Sequence, residues 1–148
     1  MCLSTAVLAA PRPRLYYHTE LAAAAFAAGR KAALMRIAEG MVKRWPEDPD
    51  SWFNVGLAYE RHDIERAEKA YRKAAELDPT KAGAWGNLGT MAWRRGDLDT
   101  AIEMAKRGIA ADAEAAMPHH VWASALIERK DYEGCVEHSS RAVELECS

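Results

Sequence analysis

The stretch Trp52-Phe53-Asn54-Val55-Gly56-Leu57-Ala58-Tyr59 returns as Trp85-Gly86-Asn87-Leu88-Gly89-Thr90-Met91-Ala92, keeping Trp, Asn and Gly at an offset of 33 residues. Past the middle of the unit the offset becomes 34: Asp63 returns as Asp97, Ala67 as Ala101, Ala74 as Gly108 and Asp78 as Asp112. The third copy keeps 34, with Leu88 returning as Trp122, Gly89 as Ala123, Asp97 as Asp131, Ala101 as Cys135 and Gly108 as Ala142. A one-residue deletion between Tyr59 and Asp63 accounts for the change of offset. A period of this size is one supersecondary unit copied along the chain.

Inside the unit the apolar residues fall at helical spacing. Trp85, Leu88 and Ala92 share one face of a first helix, Gly96-Asp97 makes a turn, and Ala101, Ala105 and Gly108 share a face of a second. Small residues at Gly89, Ala101 and Gly108 let two antiparallel helices approach closely, with Trp52 and Trp85 expected as buried fillers beside them. Asp78-Pro79 closes the unit, because proline cannot continue a helix and disfavours helix in the residue before it.

The units resemble the tetratricopeptide repeat, whose signature runs W-x2-L-G-x2-Y, then A-x3-F, then P. Trp52-x2-Val55-Gly56-x2-Tyr59, Ala67-x3-Tyr71 and Pro79 follow it with conservative exchanges, and Trp85-x2-Leu88-Gly89-x2-Ala92 with Ala101-x3-Ala105 follows it again. The flanking units are degenerate but hold the register, through Leu21-Ala22, Ala25, Gly29, Leu34, Ala38, Met41 and Pro46 on one side and Trp122-Ala123, Leu126, Cys135, Ser139 and Ala142 on the other. The resemblance implies an all-α, right-handed α-solenoid of about four helix-turn-helix hairpins. Repeats are expected over 15–48 (degenerate), 49–81, 82–115 and 116–148, behind an irregular tail over 1–14.

Composition fits that reading. Apolar residues make up 49% and charged residues 28% of 148, with only six prolines and nine glycines, which suits a helical domain able to bury a core. A net charge of −2 argues against nucleic acid, whose phosphates need a basic face. The alanine-rich stretch from Leu21 to Ala28 is too short to enter and span a bilayer. Cys2, Cys135 and Cys147 show no metal spacing and leave one thiol over in any pairing, so reduced thiols and a cytoplasmic location are expected. The opening ten residues lack a basic stretch before their apolar run; export is the alternative if they are a truncated signal.

No phosphate loop, nucleophile elbow or HExxH sequence occurs, so no enzyme activity and no cofactor are expected. His119-His120 with Cys135 and His138 could suggest zinc, but adjacent histidines diverge on a helix and zinc needs convergent ligands, so no metal is expected. Basic pairs at Arg72-Lys73 and Lys106-Arg107, with Arg141, fit a solvated outer face.

The resemblance implies recognition of a protein or peptide on a concave surface lined by first helices, in an adaptor or scaffold role. Carried over by repeat position, that groove holds Phe53, Asn54, Leu57 and Arg61, then Asn87, Thr90, Trp93 and Arg94, then His120, Ser124 and Ile127, with Gly86 and Met117 alongside and Thr19, Ala23 and Phe26 at its start. Trp93 does not recur and reads as an exposed anchor; Asn54 and Asn87, one repeat apart, offer amides to a ligand's backbone. The first-helix places at which chaperone-tail adaptors carry cations hold none here, which argues against that role. A self-assembling scaffold, or a regulatory piece of a larger enzyme or secretion or assembly system, are the alternatives. Val136, Val143 and Leu145 on the last helix are expected to pack on another copy, giving a homo-oligomer, or on a downstream segment.

Overall fold

Local signals at helix ends shape several of the hairpins. The computed structural model describes residues 13–146, and among them lie eight helices and no strand. They are α1 Pro13–Ala27, α2 Lys31–Arg44, α3 Pro49–Tyr59, α4 Ile64–Leu77, α5 Ala82–Arg94, α6 Leu98–Ala111, α7 Ala116–Glu128 and α8 Tyr132–Glu146. Helix α1 thus starts at Pro13, inside the stretch read as tail; residues 1–12 and 147–148, with Cys2 and Cys147, lie outside the described residues.

The recurring aspartates have a mechanical role. Asp63 accepts from Arg66 N at 3.0 Å and Asp97 from Thr100 N at 3.1 Å, capping the second helix of each unit. Asp131 accepts from Gly134 N at 3.3 Å in the last hairpin. The other periodic pair shapes the exit turns: Asp78 accepts from Thr80 N at 3.0 Å and Asp112 from Glu114 N at 2.9 Å. Asp48 caps α3 through Ser51 N at 2.8 Å, with Pro49 in the first helical turn. Gly29 (φ +62°) and Gly96 (φ +80°) turn the chain in the left-handed region between paired helices, where a side chain would be strained.

Each helix packs against the next in sequence, and the first helices also meet across repeats, α1 on α3 and α5 on α7. The result is a right-handed solenoid of four antiparallel helical hairpins, one layer of first helices and one of second helices. Its core is built from small residues: Ala22, Ala38, Ala67, Ala74, Ala84, Ala101, Ala105 and Ala125 are all fully buried. Close approach is the reason. A methyl at Gly56 would overlap the fully buried ring of Tyr71, and one at Gly108 would lie 2.6 Å from Pro118 Cγ.

Cross-hairpin ion pairs join successive units. Glu39 pairs with Arg66 at 3.0 Å, Glu68 with Arg95, Asp99 with Arg129 at 2.9 Å and Glu114 with Arg141 at 2.6 Å. Exposed pairs of this kind contribute about 0.2–1 kcal/mol each, so burial dominates and the ion pairs set register. Trp52 and Trp85, expected as buried fillers, are half-buried instead. Their indole N–H groups donate to the carbonyls of Pro46 (2.6 Å) and Pro79 (2.9 Å), tying each first helix to the turn before it. The polar edge of an indole needs a partner, and the turn carbonyl draws it toward the rim.

Candidate functional site

The layer of first helices carries most of the residues assigned to the groove, and packing decides what each can offer. Phe53 on α3 leans on Tyr71 with ring centroids 5.5 Å apart, lies 5.0 Å below Lys81 Nζ, and faces Gly83 of α5. Further along, Met117 of α7 closes on Gly86 of α5, where an added methyl would meet its Cγ at 3.0 Å. Glycines at 83 and 86 therefore let neighbouring first helices share one continuous surface. Met117 and Ile127 stay 45% and 51% exposed on it. Arg94 and His120 are exposed, and Asn87 and Ser124 half-buried.

Three residues differ from their expected roles. Asn54 is buried, and its Nδ2 donates to Asp50 O one turn back at 2.9 Å, so its amide serves its own helix rather than a ligand. Thr90 does the same through Oγ1 to Gly86 O at 2.9 Å. Trp93, read as an exposed anchor, is half-buried against a cluster containing Ala92, Ile102, Val121 and Leu126. Its Nε1 is buried and has no partner among the described residues. The α7 hairpin packs over the end of α5, and that contact between repeats covers it.

A second opening lies at the other end of the layer. A pocket of about 560 Å³ sits between the α1–α2 turn and the end of α3. Phe26, Leu34 and Leu57 give it an apolar lining, with Lys31, Arg61, His62 and Glu60 around it. Leu57 and Arg61 were assigned to the groove from their repeat positions; Lys31, the first residue of α2, and His62, in the α3–α4 turn, were not, because they lie outside the first-helix faces compared. The Glu60 carboxylate accepts from the Tyr71 hydroxyl at 3.2 Å. Burial, then the negative charge of Glu60, pushes the Tyr71 phenol far above its ordinary range.

The histidines form no metal cluster. His119 Nδ1 and His138 Nδ1 lie 3.3 Å apart and the His138 ring stacks on Trp122 at 3.9 Å. Cys135 Sγ faces Ser139 Oγ at 3.6 Å and His120 is exposed. Among the described residues no group of three or more His, Cys, Asp or Glu side chains is placed to hold an ion. His119 stands one repeat beyond Trp85 and is buried in its place. Among the described residues no helix is long and apolar enough to cross a membrane.

The fold has close counterparts. A structure described as the crystal structure of MamA superposes with a TM-score of 0.74 at 20% identity, covering 96% of this chain and 84% of that one. A second, of MamA protein, gives 0.71 at 17% identity over 88% and 72% of the two chains. A third, MamA MSR-1 C2, gives 0.66 at 21% identity over 87% and 75%. At such identity the likeness concerns the fold. No curated protein sequence matches the chain. Residues 57–116, from the end of α3 to the start of α7, match the sequence model of the tetratricopeptide repeat, and no catalytic family is indicated. With the recurring Trp-Asn-Gly units, this identifies residues 57–116 as tetratricopeptide repeats, set in a solenoid of stacked hairpins.

Proposed function

We propose that the chain is a recognition module that holds a segment of a partner protein along its layer of first helices, in an adaptor or scaffold role. One observation carries this reading: α3, α5 and α7 present a continuous surface, joined through Phe53 at Gly83 and Met117 at Gly86, on which Met117 and Ile127 remain exposed. Apolar side chains spaced along a rigid layer suit a partner that contributes anchors to be desolvated. Asn87 is the amide free to satisfy that partner's backbone, since Asn54 is committed to Asp50.

The test is capture of partner proteins by the purified chain and by a variant with Met117→Glu and Ile127→Glu. Both positions are about half exposed, and circular dichroism checks that the variant keeps the parent's helix content. Partners retained by the parent chain and lost by this variant, but kept by Lys106→Ala on the second-helix layer, support the reading. Equal capture by the parent and the glutamate variant overturns it.

Self-assembly is a second reading, and the ends of the stack favour it. Tyr16, Tyr17, Leu21 and Phe26 on α1 are each at least 50% exposed, and Val136 and Val143 on α8 are 66% and 57% exposed. The side chain of Leu145 lies outside the described residues. Light scattering across a concentration series measures this directly: a constant monomer mass removes the reading, and a mass that rises with concentration supports it.

A further inference from the structure

We propose that the pocket between the first two hairpins selects the partner, taking a protein segment that carries a bulky apolar side chain beside a carboxylate; the idea rests on the recognition reading above. The volume, about 560 Å³, lies within the range that holds an anchoring side chain with its flanking backbone. Its walls supply the apolar half of the match. Phe26 is 50% exposed at the mouth, Leu34 is buried in the wall and Leu57 is half-buried beside it.

The charge around the pocket supplies the other half. Lys31, Arg61 and His62 converge there against a single acid, Glu60. That carboxylate is engaged by the Tyr71 hydroxyl and stands 4.0 Å from Arg61 Nε, while the Arg61 side chain is 84% exposed. Lys31 and His62 have no acidic partner among the described residues. Several arginines elsewhere are paired with acids: Arg66 with Glu39, Arg72 with Glu68, Arg107 with Glu103, Arg129 with Asp99 and Arg141 with Glu114. A chain of net charge −2 thus sets Lys31 and Arg61 against one carboxylate beside an apolar pocket.

The backbone points the same way. Helices α3, α4 and α6 are capped by aspartates; α2, like α5 and α7, has no side-chain cap and no acid in its first turn, and it opens on Arg30 and Lys31. Cations at the positive end of a helix dipole are unfavourable alone and favourable once an anion arrives. Gly29 lines the pocket and has nothing within 4 Å of its missing Cβ. Two cations and an imidazole around an apolar pocket make no extended track for a phosphate backbone, which favours an acidic protein segment over nucleic acid.

The experiment selects ligands from a displayed library of random heptapeptides, with the full chain as bait. Peptides enriched by the parent chain should place Asp or Glu next to Leu, Ile or Phe. The best of them, made synthetically with a fluorescent label, should lose about tenfold or more in affinity on Lys31→Glu with Arg61→Glu. Lys31→Gln with Arg61→Gln should give an intermediate loss, and raising salt should weaken only the parent chain's binding appreciably. Selection on the glutamate variant should turn the flanking preference to Lys or Arg. Circular dichroism checks that both variants keep the parent's helix content. Enriched peptides with no acidic bias, lost on Met117→Glu with Ile127→Glu but kept on the Lys31 and Arg61 variants, overturn this pocket and leave the recognition reading standing. Tighter binding of a labelled single-stranded oligonucleotide than of any selected peptide overturns it too. No enrichment by the parent chain overturns both readings.

Discussion

Two helical glycines in one chain should answer the same substitution with opposite signs. Gly40 in α2 is exposed, and a methyl there meets nothing within 4 Å. Alanine is favoured over glycine in a helix by about 0.8–1 kcal/mol, so Gly40→Ala should stabilise by nearly that amount. Gly56 in α3 gains the same propensity but places its methyl on Tyr71, 2.6 Å from Cζ and closer to Cε1. That ring cannot withdraw cheaply. It is fully buried, held by Phe53 at 5.5 Å on one side and by its hydroxyl bond to Glu60 at 3.2 Å on the other. Overpacking costs about 1–3 kcal/mol, and with a rigid neighbour the upper part of that range applies. The net is a loss of about 2 kcal/mol at Gly56, so the two variants should differ by about 3 kcal/mol.

Urea unfolding followed by circular dichroism reads both, at an unchanged slope that shows the same surface being exposed. For a domain of this size the melting temperature moves about 2–4 °C per kcal/mol, upward for Gly40→Ala and downward for Gly56→Ala. Combining Gly56→Ala with Tyr71→Leu, which shrinks the opposing ring, should cost at least 1 kcal/mol less than the sum of the single changes, as contacting residues do. A Gly56→Ala protein as stable as its parent, or strict additivity in the double variant, would refute the claim that small residues on first helices exist to admit the second.

Trp85→Ala should cost about 3 kcal/mol, the low end for a truncated tryptophan, because the ring is half-buried and gives up its bond to Pro79 O and the Arg107 guanidinium 5.2 Å above it. Lys106→Ala, which removes an exposed ammonium 5.2 Å above Trp122, should stay within about 0.5 kcal/mol in the same melts. Burial raises the Glu68 carboxyl, but its bonds to Arg95 and then Arg72 outweigh this and hold it below its ordinary 4.5. Its contribution is therefore complete above that ordinary value and is lost as pH falls through the lowered folded value. The melting temperature should drop between about pH 5 and about pH 3, and drop less in Glu68→Gln, when followed by thermal melts across that range.

The repeat was legible because the interactions that define it are local. Asp63, Asp97 and Asp131 recur because each offers its carboxylate to a backbone N–H three residues on, and such a bond leaves its mark at fixed spacing. The same holds for Gly56 against Tyr71, fifteen residues away within one hairpin. Contacts between hairpins leave no such mark. Trp93 read as exposed because it does not recur between repeats; Ala92 and Ile102 of its own hairpin, with Val121 and Leu126 of the next, half-bury it and its Nε1. Asn54 read as a ligand amide because an exposed and a back-bonded asparagine are identical in a sequence; only the bond to Asp50 O separates them.

The charged pocket was hidden for a related reason that bears on how such modules acquire specificity. Comparing helix faces at repeat positions finds no cation where a carboxylate grip is expected, and that remains true of the first-helix faces. Lys31 and His62 lie instead at the tips of the first two hairpins, 31 residues apart and outside the apolar periodicity, and Arg61 stands beside His62 in the second of these turns. Stacking one hairpin on the next sets these turns side by side, so residues that no helical pattern constrains become neighbours over an apolar floor. A turn residue can change without disturbing the core, because the hairpin's stability rests on its buried alanines and its aspartate caps. Tips are therefore where one repeat scaffold can exchange ligand chemistry while keeping its fold, and the charge reversal at Lys31 and Arg61 tests that separation: selectivity should invert while the melting temperature stays within the small change expected of exposed sites.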